Sequence, residues 1–167
     1  MVVLLWDSSS LAKRYIVEVG SDTVNALFGH VPLEQMATAI LAFVETYSVI
    51  RRHRNSGVIS DGTFQAARST LRSEVLEDPD FTILALEYDD YLAAIDLVLA
   101  YNVNSSDAAM LSALLRYARA AYIVGTTCVL VASDHRLLAA AQAEGLVTLN
   151  PESVSAAAIP VLLASLA

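Results

Sequence analysis

The sequence predicts an α/β fold, a three-layer α/β/α sandwich around a central parallel sheet. Two apolar runs carry this reading, Val2–Trp6 and residues 127–132. Both are short, unbroken and without alternation, the pattern of strands covered on both faces. The segments between and after them repeat apolar residues at helical spacing, so strands alternate with helices, as parallel pairing requires. Each run is followed closely by an acid, Asp7 after the first and Asp134 after the second. Ligands in open parallel sheets gather beyond the carboxyl ends of the strands.

The elements follow in order. After the first strand, a helical pattern extends over about 8–17, with Leu11, Tyr15 and Ile16 on one side. Gly20-Ser21-Asp22 interrupts it, and Ser21 or Asp22 caps a short helix reaching Phe28. A short strand is expected near 34–37, then a strong helix over 38–54 ending at Asn55-Ser56-Gly57. Ser60 or Asp61 caps the next helix, over about 61–76, and Pro79 closes that region. Residues 81–86 read as a strand, and residues 88–101 and 106–121 as helices. The second apolar run then leads into a helix over 135–144, and Gly145 turns the chain into a last strand over 146–149. With 167 residues and neither repeat nor linker, one sandwich domain is expected over 1–151. Residues 152–167 are expected to pack as an apolar tail on the core or on a partner. That tail is too short to span a bilayer and is broken by Pro160.

The formal net charge is −8, from 10 basic and 18 acidic residues. This balance argues against nucleic-acid binding driven by bulk charge, but not against a local site where cations reverse the field. The acids crowded over 74–96 read as a solvated face. The single Cys128 lies in an apolar run and reads as a core thiol, compatible with a cytoplasmic protein. The amino-terminal run has no basic flank and stops at Asp7, so no leader is expected.

Four acids stand out. Asp7, Asp107 and Asp134 each lie where a helix begins, and a carboxylate there caps the helix or complements its dipole. Glu45 lies mid-helix, with Leu41 and Val49 one turn away on its own stripe. Such a helix reads as substantially buried. A glutamate in it needs a cation or an arginine, because burial disfavours its charge. An oxygen-only cluster with no Cys or His suits Mg²⁺ or Mn²⁺ and suits zinc poorly. Ions held in this way can activate water against a phosphodiester.

Four short motifs resemble those of PIN-domain ribonucleases, especially the VapC toxins of toxin–antitoxin pairs. They are Asp7-Ser8-Ser9-Ser10-Leu11-Ala12-Lys13-Arg14-Tyr15, Ala42-Phe43-Val44-Glu45, Ser105-Ser106-Asp107-Ala108-Ala109 and Val131-Ala132-Ser133-Asp134-His135-Arg136. Their order and spacing match over nearly the whole chain. The resemblance implies a PIN fold and a Mg²⁺- or Mn²⁺-dependent endoribonuclease in which Asp7, Glu45, Asp107 and Asp134 form the metal-binding, catalytic cluster. It also implies an RNA substrate, a cognate antitoxin protein and a homodimer. Many such toxins carry a histidine three residues after the third acid; here that residue is Met110.

Ser8, Ser9 and Ser133 flank the acids and either orient them or cap helices. Lys13, Arg14, Arg51, Arg52, Arg54 and Arg136 are the candidate phosphate contacts, with a surface role the plainer reading for Lys13 and Arg14 and helix-end charge matching for the arginines after Glu45. Two rival functions stay open. One is a PIN-like module that binds RNA or protein without cutting. The other is an aspartyl phosphatase with Asp7 as nucleophile, whose usual second acid two residues on is here Ser9.

Overall fold

The computed structural model describes residues 1–166 of the chain. The last residue of the expected tail, Ala167, lies outside the described residues. Among these, β1 (Val2–Trp6), β2 (Met36–Ala39), β3 (Thr82–Leu84), β4 (Thr127–Val131) and β5 (Val147–Leu149) form one parallel sheet in the order β3-β2-β1-β4-β5. Leu5 sits opposite Ala37 on one side and Leu130 on the other, so β1 is the middle strand. All five of its side chains are buried.

Alternate residues of β1 feed different halves of the core, as strand geometry demands. Val3 and Leu5 pack with α5 (Tyr88–Tyr101), α6 (Ser105–Ile123) and α7 (His135–Ala143). Val2, Leu4 and Trp6 pack with α1 (Ser8–Leu11), α2 (Ser21–His30), α3 (Ile40–Asn55), α4 (Asp61–Leu71) and α8 (Ile159–Leu166). The result is an α/β/α three-layer sandwich. In α8, Ile159 is fully buried, and Leu162, Leu163 and Leu166 pack against the same half of the core. No helix of the described residues is long and apolar enough to cross a membrane.

The structure differs from the expected boundaries at several places. The helix after β1 tightens into a 3₁₀ turn over Ala12–Arg14 and stops at Tyr15. The Ser21 hydroxyl donates to the Ile16 carbonyl and accepts from the Glu18 amide, and so holds the chain in a turn where the helix would have continued. Ile16 is thereby drawn into the core while Val17 stays exposed. The helix expected over 61–76 divides into α4 and a wider π turn over Arg72–Glu77. The run 81–86 pairs only over Thr82–Leu84, because β2 offers it just Ala37–Ala39.

One glycine is fixed by its surroundings. Gly20 has φ +89°, and a Cβ there would lie 3.0 Å from the Pro151 backbone. Gly57 has φ +75° with open space around it. Gly57→Ala is expected to cost about 1 kcal/mol for the left-handed backbone alone. Gly20→Ala is expected to cost about 2–3 kcal/mol, since the contact adds to the same backbone penalty. Urea unfolding of the two variants side by side separates the contact from the backbone term.

Candidate active site

The chain leaves β1 toward β2 and β3 and returns on the other side as β4 and β5, so the strand order reverses at β1 and β4. The crevice beyond the carboxyl ends of these two strands is the place where such sheets hold ligands. Asp7 follows β1 directly and Asp134 follows β4 after a two-residue link.

Asp7 is 3% exposed. It caps α1: its Oδ2 accepts from the Ser9 amide at 2.9 Å and from the Ser9 hydroxyl. The same hydroxyl oxygen accepts from the Ser133 amide at 2.9 Å. One serine therefore fixes the first acid and the loop that carries the fourth. Ser10 adds a second tie, its buried hydroxyl donating to the Val131 carbonyl. Asp134 caps α7, with Oδ1 accepting from the Arg136 and Leu137 amides at 2.8 and 3.0 Å. Asp107 stands in the first turn of α6 and exchanges two hydrogen bonds with the cap residue Asn104. The Asn104 side chain accepts from the Asp107 amide at 2.9 Å and donates to Oδ2 at 2.7 Å. Glu45 lies on α3, with its carboxylate 3.4 Å from the Ser8 hydroxyl.

Two expectations about burial change. Glu45 is half-buried rather than deep, because Val44 and Ser48 on its own helix face solvent. Asp7 is the buried acid, because it sits at the end of a strand enclosed on every side. Burial pushes the Asp7 carboxyl above its ordinary range, against the hydrogen bonds from Ser9, and Glu45 pushes it the same way. The Asp107 carboxyl is pushed up to about 6, first by burial and then by the charges of Asp7, Glu45 and Asp134, with Arg136 opposing. Four elements thus deliver four acids into one shared field. Among the described residues, however, no three His, Cys, Asp or Glu side chains are placed to hold one metal ion. The donor set and its field suit a hard cation; the side chains as they stand do not form a ready chelate.

The basic residues separate sharply. Lys13 is not the surface cation its position suggests: it is 4% exposed, and its ammonium lies 3.1 Å from Glu18 and 2.9 Å from Glu152. Arg14 is held by both oxygens of Glu74 and lies over the Phe28 ring. Arg54 pairs with Asp61 at 2.6 Å. Arg51 and Arg52 are exposed near the far end of α3, and Arg51 lies about 9 Å along the helix from Glu45. Arg136 alone among the six is exposed and also felt by the acids. Asn104 and Glu152 were not anticipated. The Asn-x-x-Asp spacing of a reciprocal helix cap signals the first; nothing local signals the second.

Solved structures of known proteins share this architecture. VapC20 of Mycobacterium tuberculosis, a sarcin–ricin loop cleaving toxin, matches with TM-score 0.59 at 15% identity, over 82% of this chain and 94% of its own. PAE2754 of Pyrobaculum aerophilum matches with TM-score 0.59 at 21% identity, over 99% of each chain. A toxin–antitoxin complex from Klebsiella pneumoniae matches with TM-score 0.54 at 14% identity, over 89% of this chain and 97% of that one. The fold is PIN-like. No family model and no curated protein matches the sequence. In this PIN-like frame, Met110, which stands where many VapC toxins carry a histidine, is a core residue, 1% exposed and packed with α5 and α7.

The acids set a pH dependence. With a carboxyl at about 6 in the fold and 3.8 as its ordinary value, Asp107 keeps its proton longer when folded than when unfolded. The folded state binds more protons in that window, so stability falls as pH rises from about 4 to about 6. Asp107→Asn is expected to remove this slope and to stabilise the protein by about 1–2 kcal/mol at pH 7, after allowance for solvent screening. Little gain is expected at pH 4. Urea midpoints at the two pH values measure the difference.

Proposed function

We propose that this chain is the toxin of a toxin–antitoxin pair and acts as a Mg²⁺- or Mn²⁺-dependent endoribonuclease at the carboxyl end of its sheet. The observation that carries the reading is the Asp107 carboxyl, raised to about 6 in the field of Asp7, Glu45 and Asp134. A divalent cation would relieve such a field. Asp7, Glu45, Asp107 and Asp134 would hold the ion. When bound, it supplies Lewis acidity that makes water a nucleophile and offsets charge on a scissile phosphate.

The residues of the chain do the rest. Ser9 holds Asp7 in place, Ser8 faces Glu45, and Asn104 orients Asp107. Arg136 is positioned to meet a phosphate of the RNA, and the exposed Arg51 and Arg52 to meet its more distant backbone. RNA as substrate is supported by the fold shared with a sarcin–ricin loop cleaving toxin. A cognate antitoxin is supported by the match to a toxin–antitoxin complex. Self-association as a homodimer belongs to the same reading.

One observation favours a second reading. With no three ligating side chains placed for one ion, the same crevice suits a PIN-like module that binds RNA or protein without cutting it. Incubating RNA with the protein in Mg²⁺, Mn²⁺ or EDTA decides between the two. Cleavage is expected with either metal, and Asp7→Asn and Asp107→Asn are each expected to lower it roughly 100-fold or more. Cleavage that ignores EDTA or survives both substitutions overturns the carboxylate–metal reading. Intact RNA that is retained in a gel shift selects the module instead. In that binding assay, Arg136→Ala is expected to reduce the salt slope by about one, as for the loss of a single phosphate contact.

A further inference from the structure

Lys13, Glu18, Glu152 and His53 lie in a row of close polar contacts. His53 Nε2 is 2.7 Å from Glu18, Glu18 is 3.1 Å from Lys13, and Lys13 is 2.9 Å from Glu152. The four come from three separate parts of the chain. Lys13 and Glu18 flank the turn after α1, His53 is on α3, and Glu152 follows β5. Each part adjoins one that carries an acid of the crevice.

The α1 segment explains the arrangement. Ser9 and Lys13 are four residues apart, which places them on one helical face. Ser9 reaches the Ser133 amide, and Lys13 reaches Glu152 one turn further on. Glu152 in turn lies beside Ser133 and His135: both hold its carboxyl below the usual range, after the larger effect of Lys13. The Ser133 hydroxyl is buried with no hydrogen-bond partner among the described residues. Gly20 packs against the Pro151 and Glu152 backbone and keeps this loop close to the α1 turn. His53 completes the row, with Nδ1 at 3.0 Å from the Val49 carbonyl of α3, one turn beyond Glu45.

We infer that Lys13 is a positioning residue: through Glu152 and Glu18 it locks together the segments that carry Asp7, Asp134 and Glu45. A buried ammonium between two carboxylates does this because removing it leaves two acids facing each other in a poorly solvated place. The loop after β5 then moves away from the α1 turn, and the Ser9–Ser133 link loses its support. The inference rests on reading the crevice as the functional site. Its test needs neither metal nor RNA, so a failure to cut RNA leaves the outcome unaffected.

The test is amide hydrogen exchange on the full chain, comparing wild type with Lys13→Met, Glu152→Gln and Arg116→Met. Arg116 holds the buried Asp90 at 2.9 Å on the opposite face of the sheet and serves as a matched break of an ion pair elsewhere. In Lys13→Met, exchange is expected to rise at least tenfold at the Ser9 and Ser133 amides, with α5 amides unchanged. Arg116→Met should do the reverse, loosening the Glu87–Asp90 turn and sparing Ser9 and Ser133. Unchanged exchange at Ser9 and Ser133 in a folded Lys13→Met protein overturns the inference. A uniform rise across all elements overturns it as well, since that is the behaviour of a purely structural pair. Glu152→Gln keeps the lysine and the volume, and should loosen Ser133 by itself. If Lys13→Met does not fold, Glu152→Gln decides, and normal protection of Ser133 in it overturns the inference.

Discussion

Everything at the candidate site depends on the enclosure of β1. β1 has partners on both sides and helices on both faces, and the chain leaves its carboxyl end directly into the turn of α1. The first residue to leave it must therefore satisfy its polar groups locally. Asp7 does so by capping α1 with its side chain while its amide donates to the Val131 carbonyl at 3.1 Å. Thr38 closes the other flank, its buried hydroxyl donating to the Trp6 carbonyl at 2.8 Å. Ser9 then joins Asp7 to Ser133, so the ends of β1 and β4 are linked by one hydroxyl that both donates and accepts. Removing that hydroxyl would loosen the link between two acids, leaving the Ser10 tie and the sheet register to hold their relative position.

The distribution of charge has a simple logic. A chain with net charge −8 has few cations, and most of those near the crevice are committed to holding the fold. Lys13 is enclosed by two glutamates, Arg14 is gripped by Glu74, and Arg116 secures the buried Asp90. What remains at the crevice is negative, with Arg136 at its edge. A polyanion approaching this surface meets repulsion unless a cation is already held there. On the proposed function, such a field would favour RNA only after a metal ion is bound.

Much of the fold was legible in the sequence because the decisive segments are extreme. Val2–Trp6 has no polar residue to confuse its burial, the run at 127–132 has only Thr127 at its start, and α3, α5 and α6 have long apolar stripes. The boundaries that escaped depend on contacts distant in sequence or on single side chains. Ser21 stops the first helix through its hydroxyl, and β3 is only as long as β2 allows. At the site, Asp7, Asp107 and Asp134 were visible from their positions after strands and at helix starts, and Glu45 from its place within an apolar helix. Their burial was not. Glu45 looked deepest because its sequence neighbours are apolar, yet Val44 and Ser48 face water. Lys13 looked like a surface cation because nothing nearby in sequence announces Glu152, which folds back against it from the other end of the chain.

Helix capping, which sequence reasoning sets against metal binding, does not exclude it. Asp7 and Asp134 are both caps, and both stand at the carboxyl end of the sheet. A cap hydrogen bond fixes the orientation of a carboxylate, which is what a metal ligand also requires. The repulsion among the acids is the counterpart of that orientation. Held by Ser9, Asn104 and backbone amides, the carboxylates cannot simply swing into solvent, so Asp107 retains its proton to about pH 6. The same hydrogen bonds that stabilise the helix starts therefore maintain the strain in the crevice. On the proposed function, a divalent cation held by these acids would relieve their repulsion. Capping is in this sense the device that keeps the site poised.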